Sequence, residues 1–406
     1  MKININSISI IGLGYVGLPS ALVLADNGFK VFGVDVNKKL VENLKNGSFE
    51  SDEPQLENLI KKSLESERFL ISTEIVSTDA YLICVPTPCT DSKKADLSFL
   101  FRAIDSISSK IKNNSLIIIE STIPIGTTEI CKQKLLNSRK DLDPKKIFFS
   151  HCPERVLPGN AIYEIINNDR IIGGIDEDSI LYCDYIYKRF SKGNIFHTSS
   201  KVAEMVKLSE NTYRDVNIAL ANQLKLIAEE AEINLNEVVT LANKHPRVNI
   251  HKSGIGVGGH CIPIDPYFLL SNYKFDINLI SKARELNIFI ESITLSKIIN
   301  FIESNICEDM QNIYIYGLSY KPNINDFRES PSLRIIEKLI NNIKDRCIYA
   351  IDPYLEKEYE KSNIKFRKSI DNLHHSILII LVKHEYIKEI IEKECEFKNL
   401  KLLDLS

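Results

Sequence analysis

Short apolar runs rich in β-branched residues alternate with stretches of helical periodicity through the first half of the chain. These runs predict strands at Ser7–Ile11, Lys30–Asp35, Tyr81–Val85, Leu116–Glu120 and Ile147–His151. Strands that alternate with helical segments are typical of βαβ units, in which the strands are parallel. The first half is therefore predicted to be a doubly wound α/β domain.

The pattern changes near Ser199. Residues Lys201 to Ala231 contain neither Gly nor Pro, and their apolar residues recur at helical spacing, which predicts one long helix. A second helical region is predicted over Ile280–Glu303. Strands then return at Asn312–Leu318, Ile348–Asp352, Ile377–Val382 and Lys401–Leu405. We expect two Rossmann-like α/β domains, 1–198 and 304–406, joined by a helical central region, 199–303.

Composition excludes several classes of function. The 406 residues are 26% charged with a formal net charge of −3, so we expect no nucleic acid partner. The nine cysteines are scattered without a C-x-x-C pair, which argues against a disulfide framework or a zinc site, and no metal is expected. No apolar run approaches the ~20 residues of a membrane span, and the first residues run directly into a strand. No internal repeat is evident, and a cytoplasmic protein without membrane contact is expected.

The first predicted strand ends in a G-x-G-x-x-G turn formed by Gly12, Gly14 and Gly17. Asp35 stands at the end of the second strand, eighteen residues after Gly17. Glycines in such a turn permit a pyrophosphate to approach the backbone, and the following helix N-terminus supplies N–H donors. The acid is placed to accept hydrogen bonds from the adenosine ribose. This context predicts an NAD site.

Polar side chains follow the later strands. Thr87 and Thr122 end two of them at the ligand-binding edge of a parallel sheet, where each is either a loop hydroxyl or a ligand contact. Glu154 and Arg155 follow the next strand, and a surface ion pair and a ligand site both remain open.

The long helix contains Lys207, Asn211 and Arg214 at positions i, i+4 and i+7, so that they share one face. A polar stripe of this kind is usually a solvated surface. A lysine and an amide one turn apart also suit proton exchange and oxyanion stabilisation. The residues alone leave both interpretations open.

Four glycines fall within six residues from Gly254, and Cys261 follows in the sequence G-I-G-V-G-G-H-C-I-P-I-D-P. Glycine permits positive φ and close backbone approach, so such a loop is expected to lie against a ligand or to form a tight turn. A single cysteine is more commonly a small buried hydrophobe than a nucleophile. Further residues are needed to assign it a role.

Eight motifs together resemble the UDP-glucose/GDP-mannose dehydrogenase family, in that family's order and over nearly the whole chain. They are G-L-G-Y-V-G, V-P-T-P, E-S-T-I-P-I-G, C-P-E-R-V-L-P-G, K-L-S-E-N, H-P-R-V-N, G-V-G-G-H-C-I-P-I-D-P and Y-K-P-N-I-N-D-F-R-E-S-P. The sequences of several motifs resemble those of the family branch that acts on UDP-N-acetyl-D-mannosamine. The chain stops at Leu402-Leu-Asp-Leu-Ser406, where relatives usually continue, so a less well closed final domain is expected.

The resemblance implies oxidation of the C6 alcohol of a UDP-sugar to a carboxylate, with two NAD molecules used in succession. It makes Cys261 the nucleophile that holds the aldehyde as a thiohemiacetal and then as a thioester. It also implies further catalytic residues, namely Lys207 as acid/base, Asn211 for the oxyanion, Asp265 for proton transfer, Glu154 for hydrolysis and Thr122 for the catalytic water.

The remaining motif positions are implied to contact ligands. The cofactor contacts are Gly12, Gly14, Tyr15, Val16, Gly17, Asp35, Thr87, Thr128 and Arg328. The substrate contacts are Arg155, Val156, Lys207, Asn211, Arg214, His245, Arg247, Gly258, Tyr320 and Lys321. Several of these are cations, which a UDP pyrophosphate requires.

A homodimer, or an assembly of dimers, is expected because the long helix has more apolar positions than one domain junction would cover. The resemblance further implies that Arg247 reaches the partner's substrate. The alternatives are a 6-dehydrogenase for UDP-N-acetylglucosamine or UDP-glucose, a two-electron hydroxy-acid dehydrogenase, and a non-catalytic NAD or sugar-nucleotide-binding regulator. The cysteine, lysine, amide and acid set argues against the regulator, which needs none of them.

Overall fold

The computed structural model describes residues 3–47, 55–156, 159–273, 278–307, 310, 312–343, 346–392 and 397–406. The chain forms two compact units. The first comprises Met1–Ser209 with Tyr267–Tyr273, and the second comprises Glu210–Pro266 with Lys274–Ser406. Residues of the predicted central region, 199–303, contribute to both units.

The first unit contains an eight-stranded sheet. Its strands are β1 (Ser7–Ile11), β2 (Lys30–Val34), β3 (Phe69–Ser72), β4 (Ala80–Ile83), β5 (Leu116–Ile119), β6 (Phe148–His151), β7 (Arg170–Gly174) and β8 (Ile195–Ser199). Their order is β3-β2-β1-β4-β5-β6-β7-β8. All neighbours are parallel except β6 and β7, which are antiparallel. The predicted parallel core is confirmed, and the antiparallel junction was not predicted.

Helices cover both faces of this sheet. They are α1 (Gly17–Asp26), α2 (Lys38–Lys45), α3 (Leu56–Glu65), α4 (Ser98–Ser108), α5 (Thr127–Ser138), α6 (Ala161–Asn167) and α7 (Glu177–Tyr187), with a 3₁₀ turn at Pro144–Lys146. Alternate residues of each strand enter different cores. Leu82 of β4 packs in the core with α1, α3, α6 and α7, whereas Tyr81 packs in the core with α4 and α5. This alternation confirms the doubly wound architecture.

Along the described part of the chain, four helices lie between the last strand of the first sheet and the first strand of the second sheet. They are α8 (Ser200–Glu230), α9 (Leu235–Ala242), α10 (Asp265–Leu270) and α11 (Leu279–Asn305). The two long helices predicted from periodicity are confirmed within two residues at each end. Asn234 caps α9, since its side chain accepts the N–H groups of residues 236 and 237. None of the described helices combines the length and apolarity that a membrane span requires.

The second unit contains a six-stranded sheet in the order β11-β12-β10-β9-β13-β14. Its strands are β9 (Asn312–Tyr316), β10 (Ile348–Ile351), β11 (Tyr359–Lys361), β12 (Ile364–Arg367), β13 (Ser376–Ile380) and β14 (Lys401–Asp404), and its helices are α12 (Pro331–Leu339) and α13 (Glu385–Glu392). All neighbours are parallel except β11 and β12. Ser330 caps α12 and Pro331 is its first residue.

The two sheets repeat one turn, although no internal repeat was evident from the sequence. Gly12 and Gly317 have φ of +95° and +90°, and each opens a G-L-x-Y tetrapeptide after the first strand of its sheet. Asp35 accepts the N–H of Leu13, and Asp352 accepts that of Leu318, at 2.8 Å in both cases. Asp352 is fully buried against His384, whereas Asp35 is only half-buried. The three residues that the two tetrapeptides share were too few to reveal this repeat from the sequence.

Candidate active site

The three glycines of the first turn have different physical requirements. A Cβ on Gly17 would lie 1.9 Å from the carbonyl oxygen of Gly12, and one on Gly12 would lie 2.8 Å from that of Cys84. A Cβ on Gly14 would meet nothing within 4 Å. Packing therefore explains the first and third glycines, while the second leaves space beside the N-terminus of α1. Val16 at the N-cap supplies no side-chain hydrogen bond, so no side chain caps the positive end of this helix.

The acid at the end of β2 is held by backbone groups. Asp35 accepts the N–H of Leu13 on Oδ2 and that of Asn37 on Oδ1, both at 2.8 Å. These bonds fix the carboxylate beside the glycine turn. Tyr15 lies in the same turn with 39% of its surface exposed. The residues fit a dinucleotide, because an uncapped helix end, an open glycine and a fixed acid occur together.

The loops after β4 and β5 are tied together, as expected for strands that are neighbours in the sheet. The hydroxyl of Thr87 donates to the carbonyl of Thr122 at 2.7 Å. Thr128 is fully buried, and its hydroxyl donates to Oε1 of Glu204 at 2.6 Å. Glu204 also accepts backbone N–H groups of residues 126 and 128, and burial raises the pKa of its carboxyl. Thr128 thus connects α5 to α8 and is not exposed here.

Two predicted catalytic residues meet after β6. Lys207 donates to the main-chain carbonyl of Glu154 at 2.7 Å. The Glu154 carboxylate accepts the N–H of Arg155 at 2.7 Å and Nη1 of Arg170 at 3.3 Å. Glu154 is buried, with its side chain only 7% exposed. The interpretation of Glu154 and Arg155 as a surface ion pair is therefore wrong, because the charged partner is a buried arginine of β7.

A second buried acid adjoins this pair and was not predicted. Glu120 accepts the Tyr187 hydroxyl at 2.6 Å and the Cys84 thiol at 3.3 Å. The Arg170 guanidinium lies over the Tyr187 ring, 4.6 Å from its centre. Burial, reinforced by the charge of Glu154, raises the pKa of Glu120 to about 7. The signal in the sequence was an acid at a strand end, as for Asp35.

In the second unit, three predicted catalytic residues are brought together. Asn211 donates its amide to Oδ2 of Asp265 at 2.6 Å, and both side chains are buried. The carbonyl of Cys261 accepts the N–H groups of Ile264 and Asp265, at 3.0 and 2.9 Å. Cys261 itself is half-buried. The glycine loop therefore ends in a turn that starts α10 and joins the backbone of Cys261 to the Asn211–Asp265 pair.

The glycine loop packs against the segment between β9 and α12. A Cβ on Gly258 would lie 2.6 Å from the Cβ of Tyr320 and 2.7 Å from Cδ of Pro331. Gly259 has φ of +84° and donates its N–H to the carbonyl of Arg328. The close approach that these glycines permit is thus to the protein itself. It brings Gly258 and Tyr320, two predicted substrate contacts, together.

The other predicted ligand contacts are more exposed. Arg214, His245, Arg247 and Lys321 are exposed, and His245 accepts the N–H of Arg247 at 3.3 Å. Exposed cations in the second unit suit a polyanionic ligand.

Two arginines and a valine have protein contacts of their own. Arg328 makes a two-pronged pair with Asp326, at 2.9 and 2.6 Å. Burial opposes this pair, but the Arg328 hydrogen bonds outweigh it and hold the pKa of Asp326 below its usual range. Arg155 donates to the carbonyl of Asp169, and Val156 packs against the first core. No cluster of three His, Cys, Asp or Glu side chains in the described part of the chain could hold a metal.

Protein-family models match most of the chain. Models of the UDP-glucose/GDP-mannose dehydrogenase family match three segments, the NAD binding domain at 6–191, the central domain at 201–288 and the UDP binding domain at 314–403. A UDP-N-acetyl-D-mannosamine dehydrogenase of Methanocaldococcus jannaschii is 45% identical over 97% of this chain and 88% of its own. An NDP-N-acetyl-D-galactosaminuronic acid dehydrogenase of Ralstonia nicotianae is 38% identical, over 88% and 85%.

A solved structure also matches most of the chain. It is that of a UDP-D-ManNAc dehydrogenase from Pyrococcus horikoshii, with a TM-score of 0.87 and 36% identity. The match covers 98% of this chain and 94% of that one. Both sheets and the helices between them therefore recur in a relative.

Proposed function

This chain belongs to the UDP-glucose/GDP-mannose dehydrogenase family, and on that premise we propose that it oxidises UDP-N-acetyl-D-mannosamine to the 6-carboxylate. NAD, when bound, accepts the hydride in each of two successive oxidations. The observation that supports the proposal is the turn in which the backbone carbonyl of the half-buried Cys261 accepts the N–H of Asp265, whose side chain pairs with Asn211. A dehydrogenase that removes one hydride needs no such thiol.

The side chains have distinct roles in this proposal. The first oxidation removes a hydride from C6 and a proton from its hydroxyl, and Lys207 exchanges that proton. The Cys261 thiolate then adds to the aldehyde and gives a thiohemiacetal, whose oxyanion accepts a hydrogen bond from Asn211. Loss of the second hydride leaves a thioester. Water cleaves its C–S bond, with Glu154 taking the water's proton, and this releases the acid and restores the thiol.

We further propose a homodimer, or an assembly of dimers, in the cytoplasm. Tyr213, Leu220 and Ile227 follow one another at seven-residue spacing on α8 and are 52%, 46% and 52% exposed. Seven residues make about two helical turns, so these side chains form one stripe. A second copy related by a two-fold axis would cover it. A reducing compartment is proposed because the nucleophile must remain a thiol.

A panel of sugar nucleotides tests the reaction. UDP-N-acetyl-D-mannosamine should give two NADH per acid, with the acid identified by mass, and should be preferred over UDP-glucose and UDP-N-acetylglucosamine. UDP-N-acetylgalactosamine belongs in the panel because the 38%-identical Ralstonia relative is named for a galactosaminuronic acid. A ratio of one NADH with free aldehyde as the product would exclude the four-electron reaction.

Substitution of Cys261→Ala separates the thiol from the rest of the site. We expect acid formation to be lost while NAD binding is retained, since the glycine turn belongs to the first unit. Cys307→Ala is the matched control, because Cys307 is an exposed thiol of the same unit. Wild-type acid production by the Cys261→Ala enzyme would remove the thiol from the mechanism.

A further inference from the structure

Residues 254–265, called here the nucleophile loop, are bracketed by two asparagines of α8. Asn211 holds Asp265 at one end, and the Asn222 side-chain oxygen accepts the Gly254 N–H at 2.9 Å at the other. The two asparagines are eleven residues apart, which is about three helical turns, so they lie on one face of α8. One helix face therefore fixes both ends of the segment that contains Cys261.

Asn222 is the last member of a buried polar chain. It is fully buried and donates its amide to Oδ1 of Asn287 at 3.0 Å. Asn287 donates in turn to Oδ1 of Asp215 at 2.9 Å, and Arg284 pairs with the same carboxylate. Each amide has a single orientation that satisfies its neighbours, because donors and acceptors alternate along the chain. The Gly254 anchor is thereby fixed by α8 and α11 together.

A second anchor lies in the middle of the loop. Arg334 of α12 makes a forked ion pair with Glu291, with contacts of 2.6 to 3.2 Å, and Glu291 is only 3% exposed. The same guanidinium donates to the carbonyl of Val257 at 3.3 Å and to that of Glu329 at 2.8 Å. A Cβ on Gly256 would lie 2.9 Å from Cγ of Glu291, so the backbone follows this pair closely.

Resting on the proposed function, we propose that Asn222 and Arg334 are positioning residues for Cys261, needed for the second oxidation and not for the first. Neither residue is among those assigned to hydride removal from the alcohol. Both hold the backbone on which the thiol must meet the aldehyde, and catalytic groups displaced by about 1 Å lose roughly 100-fold in rate. A loosened loop should therefore release the aldehyde before the thiol captures it.

The test compares Asn222→Ala and Arg334→Lys with the wild-type enzyme. Arg334→Lys keeps the charge and removes the fork, so that Glu291, Glu329 and Val257 can no longer be contacted together. With hydroxylamine present to trap aldehyde, we expect the first oxidation within about threefold of wild type and acid formation reduced at least about tenfold. Arg367→Lys is the control. Arg367 forms an ion pair with Glu360, with 2.6 Å between the charged atoms, and this pair does not contact the nucleophile loop.

Alkylation provides a readout that needs no substrate. The rate at which iodoacetamide modifies Cys261, relative to the exposed Cys307 in the same molecule, should rise at least about threefold in both variants because the loop is less restrained. Thermal unfolding identifies a temperature at which every variant is folded. A parallel fall of aldehyde and acid, an unchanged acid rate, or an unchanged alkylation ratio would each overturn the positioning role. If the wild-type enzyme forms no acid, the proposed function fails. The alkylation ratio still shows whether Asn222 and Arg334 restrain the nucleophile loop.

Discussion

Glu120 and Glu154 lie in the buried cluster around Arg170 in the first unit. Two acids and one guanidinium leave one negative charge in excess, and burial makes that charge costly. A proton held by one acid removes the cost. The pKa of about 7 assigns this proton to Glu120.

This proton predicts a dependence of stability on pH. Between about pH 4.5 and 7 the folded protein keeps the Glu120 proton and the unfolded chain loses it. The free energy of unfolding should therefore fall with rising pH, by roughly 3 kcal/mol over that window, and the Glu120 contribution should level off above it. Glu120→Gln should remove this slope in denaturant titrations from pH 5 to 8. Glu57→Gln, an exposed position in the same unit, is the control, and equal slopes in wild type and Glu120→Gln would contradict the assignment.

Asp35 predicts the choice of cofactor. Its carboxylate is fixed by two backbone N–H groups at the position where the ribose of a dinucleotide is expected. A 2′-phosphate about 4 Å away would be opposed by about 4 kcal/mol per unit charge. We expect kcat/KM for NAD to exceed that for NADP by at least about 100-fold, equivalent to about 2.7 kcal/mol. Asp35→Asn should reduce this ratio of kcat/KM values. Equal efficiency with both cofactors would show that Asp35 faces elsewhere.

At the scale of the β1–α1 turn, neighbouring glycines should respond in opposite ways. Gly17→Ala places a methyl group against the Gly12 carbonyl, so we expect a loss of about 1–3 kcal/mol in stability, the usual cost of overpacking. Gly14→Ala meets open space and should fold normally, but its methyl group would face the dinucleotide. Thermal unfolding and NADH fluorescence titration measure the two effects. Unchanged NADH affinity in Gly14→Ala would show that the cofactor does not approach this turn.

Element prediction succeeded where a single physical cause dominated. Buried apolar runs with β-branched residues marked β1 and β5 within one residue, and helical periodicity marked α8 and α11. The strands that were missed have weaker patterns. β7 begins with Arg170 and ends in two glycines, and β8 is a half-exposed edge strand. Their place in the sheet comes from tertiary pairing, which overrides local preference.

Prediction of the site from the sequence was limited in the same way. Cys261, Asn211 and Asp265 stood in recognisable motifs, so their association could be predicted. The residues that hold them could not, because each acts at a distance in sequence. Asn222 contacts a glycine 32 residues later, and Arg170 pairs with Glu154 across 16 residues. No local period marks such pairs, and only the fold brings them together.

At the scale of the whole molecule, two further helices of the second unit also expose large apolar side chains. Leu241 of α9 is 63% exposed, and Phe289 of α11 is 57% exposed. Large apolar side chains grouped on helices of one unit are typical of interfaces. Ile227→Glu would place a charge within the stripe, so we expect it to reduce the mass measured by light scattering to that of one chain.

Arg247 offers a test of whether the assembly also completes the active site. It is exposed on the loop after α9, and its motif resembles that of an arginine that reaches the partner's substrate. Cys261→Ala and Arg247→Ala, each inactive alone, should regain activity when co-expressed or mixed under conditions of subunit exchange. Random pairing makes about half of the dimers mixed, each with one intact site of two, so about a quarter of all sites should work. If Arg247 acts within its own chain, no assembly contains an intact site, and proven mixed dimers without activity would exclude the shared site.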